Sequence, residues 1–383
     1  MTPRVLLVCQ PTDGGVALHV ETLARRLPEA GVAVTVACPP GPWARALAAD
    51  GVAVVEVPMV RAIAPRTDLG ALARLRAEIG AGGYDLVHTH SAKAGVVGRL
   101  AARSHGVTTV HTPHAWSFLA AGGRLTSLLY RRIERALAGS TAMIICVSDG
   151  ERRRGLQVAD AARMTVVTNG VAVPDGAPRG AGHGARGERE VVVGTVARLA
   201  PQKGIGHLLE AFALVRAERD DVRLAIAGDG PLRFDLEADA RWLGIADHVT
   251  FVGGVASPWS FLAGLDLFVL PSLWEGLPYA LLEAMATGLP SVATAVDGVA
   301  EAIPDRRYGT VVAPGDSRRL AREILALVGD PQARADMGRL ARRHVRETFS
   351  VDGMVGATAD VYHRVLGDPV AARDQRPALS AAG

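Results

Sequence analysis

Short apolar runs alternate with amphipathic stretches along the first half of the chain, and this alternation predicts strands separated by helices. Helical patterns occur, for example, at residues 16–27 and 69–79. Strands without polar interruptions, separated by helices, are typical of a parallel sheet that is covered on both faces. The runs predicted as strands lie at residues 5–9, 32–38, 52–57, 86–89, 108–111, 142–147 and 165–167.

The alternation stops at residues 174–189, which contain Gly, Pro and Arg but almost no core-forming side chains. We predict a linker there. A second series follows, with predicted strands at residues 191–197, 223–227, 249–252, 267–270, 291–294 and 310–312. The predicted organisation is therefore α/β, with doubly wound domains at residues 1–173 and 190–350, a cleft between them, a helix at 351–366 and a disordered tail at 367–383.

Two glutamates follow a predicted strand of the second domain, at the sheet edge where open α/β folds bind ligands. Glu275 lies in the loop after the strand, and Glu283 lies in a helix predicted to begin at Pro278. Eight helical steps would separate them by about 12 Å, whereas paired glycosidase carboxylates work at roughly 5–9.5 Å. We therefore predict that they contact different parts of one extended ligand. The simpler alternative is a loop carboxylate plus a glutamate that complements a helix dipole.

Cationic and glycine-rich segments at two other strand ends are suited to a diphosphate. Arg198 and Lys203 flank Pro201, so a planar fork and a mobile point charge can converge on one side of a loop. Gly14 and Gly15 open the first helix, whose N-terminal amides can face an anion. The full G-x-G-x-x-G spacing of a dinucleotide site is missing, and a plain tight turn fits these glycines equally well.

The segment from Glu275 to Pro290 resembles the E-x7-E signature of retaining family-4 glycosyltransferases, the glycosyl transferases group 1. That family has the GT-B fold, in which two Rossmann-like domains face each other across a cleft. The R-x4-K-G arrangement at Arg198 and Lys203 matches the family's diphosphate-binding pair. The resemblance implies that Glu275 contacts the transferred sugar and that Glu283 contacts the ribose of the nucleotide.

The resemblance covers nearly the whole chain and implies a retaining transfer from a nucleotide-diphospho-sugar. It implies that Gly15, and after it Gly14, face the donor diphosphate. Gly276, Leu277 and Gly253 complete the predicted donor contacts. A UDP-sugar is the first expectation, and GDP-mannose is the second. Because no Asp-x-Asp occurs in the chain, we expect fixed cations to replace a metal ion, and no cofactor.

Histidines are concentrated in the first half of the chain. His88 and His90 share a strand face, and three histidines can form a catalytic zinc site, but no Cys or carboxylate joins them at ligand spacing. The HTHSAKAG and HTPH segments resemble exopolysaccharide-type members of the family. This resemblance implies that His114 points to the sugar and the reaction centre. His90, Lys93 and His111 are weaker candidates for the acceptor side, and the plain alternative is a set of hydrogen-bonded histidines at strand ends.

The same segments favour a lipid-linked saccharide as the acceptor, with a small-molecule natural product as the second hypothesis. Residues 124–137 form a basic amphipathic pattern that could rest on anionic lipid. An ordinary surface helix that buries Leu128, Leu129 and Ile133 is slightly favoured. We expect a cytoplasmic protein and leave open a peripheral contact with the inner face of the membrane.

The composition excludes some classes of protein and leaves others open. No uninterrupted apolar run approaches the ~20 residues of a transmembrane helix. A net charge of +3 does not indicate a nucleic-acid-binding polycation. The cysteines at positions 9, 38 and 146 are expected to be small buried side chains. Three alternatives to a transferase remain: a hydrolysing sugar-nucleotide epimerase, a nicotinamide oxidoreductase and a non-catalytic sugar-nucleotide-binding protein.

Overall fold

The chain forms two parallel sheets, each flanked by helices. The residues that the computed structural model describes are 2–120, 123–173, 190–255 and 257–367. The predicted linker at 174–189 and the predicted tail beyond residue 367 lie outside the described residues. Within the described ranges, no helix has both the length and the apolar character needed to cross a membrane.

The first sheet contains seven strands: β1 (Arg4–Cys9), β2 (Ala33–Cys38), β3 (Ala53–Glu56), β4 (Leu86–His90), β5 (Thr108–Thr112), β6 (Met143–Cys146) and β7 (Met164–Val166). They pair in parallel in the order β3-β2-β1-β4-β5-β6-β7. The helices between them are α1 (Gly14–Arg26), α2 (Pro42–Ala49), α3 (Pro65–Gly82), α4 (Ala92–Arg103), α5 (Arg124–Ala138) and α6 (Asp149–Gly155).

The second sheet contains six strands: β8 (Val191–Val196), β9 (Val222–Ala227), β10 (Val249–Gly253), β11 (Leu267–Leu270), β12 (Ser291–Thr294) and β13 (Thr310–Val312). Their parallel order is β10-β9-β8-β11-β12-β13. The helices of this part are α7 (Ile205–Glu218), α8 (Arg233–Trp242), α9 (Pro258–Leu262), α10 (Tyr279–Thr287), α11 (Val299–Ala302), α12 (Ser317–Val328), α13 (Pro331–Thr348) and α14 (Val351–Leu366).

Helices cover both faces of each sheet, which is why the central strands are apolar along their length. All four residues of β11 are buried, and so are Val5 to Cys9 in β1. The predicted fold class, two doubly wound α/β domains, is confirmed by this architecture. Several predicted boundaries differ from the structure by one to four residues. At the site, α10 begins at Tyr279, because Pro278 has an extended backbone with ψ 115° and precedes the helix.

The last helix, α14, packs into the core of the first domain. Tyr362 is fully buried there, and its hydroxyl lies 2.6 Å from Nδ1 of His88. Arg26 in α1 pairs with Asp352 at the start of α14 at 2.8 Å. The chain therefore returns from the second domain and closes the first domain with its own apolar side chains.

Helix α5 differs from the ordinary surface helix favoured by the sequence. Leu128 and Leu129 were expected to be buried, yet they are 48% and 54% exposed, and Leu125 is 85% exposed. The buried side of the helix instead carries Glu134 and Leu137, because Glu134 pairs with the buried Arg99 of α4 at 2.7 Å. With Glu134 on the buried side of the helix, the leucines at positions 125, 128 and 129 lie on the exposed side.

The carboxyl ends of the two sheets face each other across a cleft that is bridged at its base. Nδ1 of His19 in α1 lies 3.1 Å from the hydroxyl of Tyr279 in α10. Asn169 Nδ2 donates a hydrogen bond to the carbonyl oxygen of Leu277 at 2.8 Å. The ends of β4 and β5 thereby come close to the loop between β11 and α10.

Candidate active site

Glu275 lies in a buried polar cluster after the end of β11. Its Oε1 accepts hydrogen bonds from Lys203 Nζ at 2.5 Å and from Ser272 Oγ at 2.7 Å. Its Oε2 accepts a weaker hydrogen bond from Gln202 Nε2 at 3.3 Å. Glu275 is only 7% exposed, so its charge depends on the ammonium of Lys203 for compensation. The carboxylate and the lysine that the sequence singled out are therefore direct partners.

Arg198 follows the end of β8 and is half-buried beside this cluster. Burial and the nearby Arg61 lower the pKa of its guanidinium, whereas Asp13 and Glu275 act in the opposite direction. Asp13 belongs to the first domain and Glu275 to the second, so Arg198 is near charged groups of both domains. The carbonyl oxygen of Arg198 accepts a hydrogen bond from the amide of Ala200, but its guanidinium makes no hydrogen bond or ion pair with the described residues. The planar guanidinium is therefore available to bind a diphosphate.

Glu283 lies in the second turn of α10 with most of its surface buried. The same helix fixes its place by burying Leu281, Leu282 and Met285 completely. Burial raises the pKa of Glu283 to about 7. Its carboxyl group has no hydrogen-bond partner among the described residues. A buried carboxyl group without partners is costly, and hydroxyl donors from a ligand would satisfy it.

The glycine positions allow close approach of the two domains. Gly14 has φ 68° and opens α1, and a side chain at Gly15 would meet the ring of Tyr279 at 2.9 Å. Gly15 therefore packs against α10 at the base of the cleft. A side chain at Gly276 would lie 3.0 Å from the amide nitrogen of Ala115. The loop that carries Glu275 thus lies directly against the turn that carries His114.

The remaining predicted donor contacts have part of their backbone already engaged. Leu277 is buried, and its carbonyl oxygen accepts the hydrogen bond from Asn169. Gly253 ends β10 with φ 82°, and its carbonyl oxygen accepts a hydrogen bond from the amide of Gly228 at 2.7 Å. The carbonyl oxygen of Gly253 is therefore already used in a hydrogen bond between the ends of two strands.

His114 belongs to a cluster of neutral imidazoles at the first sheet's carboxyl edge. Its Nε2 lies 3.1 Å from Nδ1 of His90, and its ring centroid lies 4.6 Å from that of His19. Burial, reinforced by the neighbouring His19 and His88, lowers the pKa of His114 well below its ordinary value. Burial also lowers the pKa of His90 and that of His19, the latter to about 4. These rings are therefore uncharged at neutral pH.

Backbone strain is concentrated at the same edge. Ser91, His114 and Ala115 are the residues other than glycine with positive φ in the described part of the chain, with values of 67°, 54° and 78°. Such conformations are costly and persist where the surroundings enforce them, which is common at functional sites. The turn of His114 is thus held in place by its neighbours.

Two of the weaker acceptor-side candidates are engaged elsewhere. The side chain of His111 points into the interior between β5 and α4, where its Nδ1 lies 2.9 Å from Thr89 Oγ1 and its ring touches Gly95. The ring of His111 is therefore buried inside the first domain, and its acceptor-side role stays a prediction. Lys93 pairs with Asp68 at 2.6 Å, so its charge is already compensated.

One group of described residues has the geometry to hold a metal ion. His19, His90 and His114 each offer a ring nitrogen, and these three atoms lie within 4.8 Å of one another. The imidazoles are neutral, as metal ligands must be. No carboxylate or cysteine belongs to this group. It differs from the histidine pair that the sequence suggested, because His19 comes from α1.

Several residues of the site escaped the sequence analysis. His19 lies one helical turn after Gly15 and shares its face, a spacing that could have identified it. Asn169 and Tyr279 gave no local signal, since only the fold brings them to His19. Ser148 and Glu151 have the S-x-x-E spacing of a capping box, and both are buried at the base of the cleft.

The arrangement is suited to a ligand with a negative end and several hydroxyl groups. The free guanidinium of Arg198 and the ammonium of Lys203 can stabilise phosphate oxygens. The carboxylates of Glu275 and Glu283 can accept hydrogen bonds from hydroxyls. His114 belongs to the other domain, on the turn next to the loop of Glu275, and its neutral ring contacts the fully buried His90.

Comparison with known proteins places the chain in a family. The family model for glycosyltransferase family 4 matches residues 13–173, and that for glycosyl transferases group 1 matches residues 183–344. The UDP-Gal:alpha-D-GlcNAc-diphosphoundecaprenol alpha-1,3-galactosyltransferase of Escherichia coli is 30% identical, over 73% of this chain and 75% of that protein. The D-inositol 3-phosphate glycosyltransferase of Salinispora tropica is 33% identical, over 93% of this chain and 82% of its own length.

The solved structure of Anabaena HepE in complex with UDP and glucose is similar in fold. Its TM-score is 0.82 at 22% sequence identity, and the match covers 94% of this chain and all of HepE. The two parallel sheets and the facing carboxyl edges agree with this similarity. The chain belongs to the family-4 glycosyltransferases and is an enzyme of the GT-B fold.

Proposed function

We propose that the protein transfers a hexose from a UDP-sugar to a hydroxyl of a lipid-linked saccharide, with retention of configuration and without a metal ion. The observation that carries this proposal is the convergence of Arg198, the Lys203–Glu275 pair and the unpartnered Glu283 at one sheet edge, opposite His114. Two cations for phosphates and two carboxylates for hydroxyls match the two ends of a nucleotide-diphospho-sugar.

The donor base is proposed from two independent similarities. The Escherichia coli relative is named for UDP-Gal, and HepE was solved with UDP and glucose. Glu283 would accept hydrogen bonds from the ribose hydroxyls, and these would replace the partners that its carboxyl group lacks. Glu275 would accept hydrogen bonds from the transferred sugar.

The proposed chemistry breaks the bond from the anomeric carbon to the phosphate oxygen and forms a bond to the acceptor oxygen on the same face. Negative charge then develops on the diphosphate, where Arg198 and Lys203 stabilise it. The acceptor hydroxyl passes its proton to the departing phosphate oxygen. His114 would orient the sugar by hydrogen bonding, since its ring is neutral and cannot act as a cation.

The proposed acceptor rests on helix α5. Its exposed leucines at positions 125, 128 and 129 lie on a helix with four arginines, and its glutamate is buried against Arg99. A basic helix with an exposed apolar face is suited to an anionic membrane surface, where a lipid-linked acceptor would lie. The Escherichia coli relative is named for such an acceptor. D-inositol 3-phosphate, in the name of the Salinispora relative, is the small-molecule alternative.

Release of UDP with defined acceptors tests the proposal. The purified protein is incubated in EDTA with UDP-galactose or UDP-glucose, and with GlcNAc-diphosphoundecaprenol in phosphatidylglycerol vesicles or D-inositol 3-phosphate in solution. We expect acceptor-dependent UDP release with the lipid-linked acceptor and an α-linked product. Release with D-inositol 3-phosphate alone would overturn the lipid-linked acceptor, and release that ends in free sugar would overturn transfer.

Binding to vesicles tests the role of α5 separately. We expect co-sedimentation with phosphatidylglycerol vesicles but not with neutral phosphatidylcholine vesicles. The Leu125→Asp and Leu129→Asp double variant should lose this binding, whereas Leu214→Asp, at an exposed leucine of α7, should keep it. Equal binding by both variants would remove α5 from the proposal.

A further inference from the structure

Glu151 holds the turn that carries His114, although it has no role in the transfer chemistry proposed above. Ala115 follows His114 with φ 78°, and its amide donates a hydrogen bond to Glu151 Oε1 at 2.5 Å. The neighbouring Trp116 is buried and donates from Nε1 to the carbonyl oxygen of Glu151 at 2.8 Å. Glu151 thus holds the strained turn by its side chain and its backbone at once.

The short helix α6, which carries Glu151, is also joined to the Glu275–Gly276 loop of the second domain. Ser148 precedes α6, is fully buried and donates a hydrogen bond from Oγ to the carbonyl oxygen of Gly276 at 2.8 Å. Ser148 and Glu151 are also bonded to each other, because Ser148 Oγ accepts a hydrogen bond from the amide of Glu151 at 3.0 Å. A side chain at Gly276 would lie 3.3 Å from Glu151 Oε1 and 3.0 Å from the amide of Ala115. Gly276 therefore has little room for a side chain between these two groups.

An ordinary capping role does not account for this arrangement. In a capping box the glutamate returns to the backbone amide of the N-cap residue. Here Glu151 Oε2 binds the amide of Val147, which precedes the N-cap, and Oε1 reaches across to Ala115. Burial raises the pKa of Glu151 to about 7 against the effect of these two amides. Placing a carboxyl group here is costly, and what it secures is the geometry of the His114 turn.

We propose that Ser148 and Glu151 act as one positioning unit that fixes the His114 turn of the first domain against the Glu275–Gly276 loop of the second. The unit sets how the sugar-orienting histidine and the donor-binding carboxylate face each other during transfer. This inference rests on the proposed roles of His114 and Glu275. Neither Ser148 nor Glu151 contacts the substrate in this proposal; both act through the two loops.

The domains have other contacts at this interface that should survive the loss of either residue. Arg154 in α6 pairs with Asp297 at 2.5 Å, and the amide of Gly150 donates to Glu301 Oε1 at 3.2 Å. The phosphate-binding groups Arg198 and Lys203 lie outside the unit and keep their contacts with the donor. A defect in the unit is therefore expected to lower the rate of transfer more than donor affinity.

The test measures kcat and donor KM for Glu151→Gln, Ser148→Ala and the double variant, in the full-length protein with its UDP-sugar and acceptor. We expect kcat to fall by about 10- to 100-fold in Glu151→Gln, since small misplacements of reacting groups have effects of this size. Donor KM should stay within about twofold. The double variant should lose about as much as the more severe single variant, because coupled residues are not additive.

Glu323→Gln is the matched control, because Glu323 is also a buried glutamate but lies in α12 and pairs with Arg306 and Arg319. It should keep its kcat. If donor KM rises as much as kcat falls, or the two single effects multiply, the positioning unit is refuted. If Glu151→Gln does not fold, Ser148→Ala is the test: its kcat should fall while its donor KM stays within about twofold of the wild-type value. Failure of the wild type to release UDP would instead refute the proposed function.

Discussion

Replacing Glu283 with glutamine separates the cost of a buried carboxylate from its use in binding. Burial raises the pKa of Glu283 from 4.5 to about 7, so the folded protein resists its ionisation. A raised pKa stabilises the fold fully below the unfolded value, and this contribution is lost as pH rises through about 7. Each pKa unit corresponds to about 1.4 kcal/mol, so ionisation at pH 8 costs the wild type about 3 kcal/mol of unfolding free energy.

Glutamine has nearly the same shape and does not ionise, so the variant escapes this cost. At pH 5 the same reasoning gives a difference below about 1 kcal/mol, because the carboxyl group is protonated in the fold and only partly ionised in the unfolded chain. The amide must also be buried, but that cost is equal at both pH values. We therefore expect the stability of Glu283→Gln relative to wild type to rise by about 2–3 kcal/mol between pH 5 and pH 8.

Thermal unfolding at both pH values, without and with a UDP-sugar, measures both effects. A UDP-sugar is preferred to UDP because its diphosphate does not titrate between pH 6 and 8. Ribose hydroxyls should bind the ionised carboxylate, so wild-type affinity should rise by up to about tenfold between pH 6 and pH 8. Glu283→Gln should lose most of the ligand-induced stabilisation and its pH dependence.

Glu347→Gln, at an exposed position of α13, is the control and should match wild type in every condition. If Glu283→Gln gains the same stability at pH 5 and pH 8, the argument from burial is wrong. If the variant binds the UDP-sugar as tightly as wild type, Glu283 does not contact the ribose.

Three further outcomes are expected. Lys203→Met removes the cation that pairs with the buried carboxylate of Glu275. The free energy of unfolding should therefore fall by about 3 kcal/mol, and the rate of UDP release should fall by about 100-fold or more. Unchanged urea unfolding would contradict the predicted loss of stability. A side chain at Gly338 would overlap the carbonyl oxygen of Gly288. Gly338→Ala should therefore lower the free energy of unfolding in urea by about 1–3 kcal/mol. An unchanged free energy would mean that α13 can shift away from Gly288 without cost. Acceptor-dependent UDP release should be equal in EDTA and in magnesium, and loss of activity on chelation would refute fixed cations as the counter-charge.

The fold class followed from the sequence because burial on both faces leaves a visible pattern. Strands such as β11 have no polar residue, and the predicted limits of β11 and β13 agree with those in the structure. The start of α10 was misjudged by one residue, because proline fits both the N-cap and the first turn. The exposure of the α5 leucines could not be predicted, because the partner that turns Glu134 inward, Arg99, lies in another helix.

Sequence by itself determined the classes of chemistry available, since the types and spacing of Arg198, Lys203, Glu275 and Glu283 are local properties of the chain. Only the tertiary structure decided which groups are partners. Lys203 and Glu275 are 72 positions apart, and their contact depends on the order of β8 and β11 in the sheet. Contacts between residues this far apart in the chain are set by strand order and domain packing, which no local pattern records.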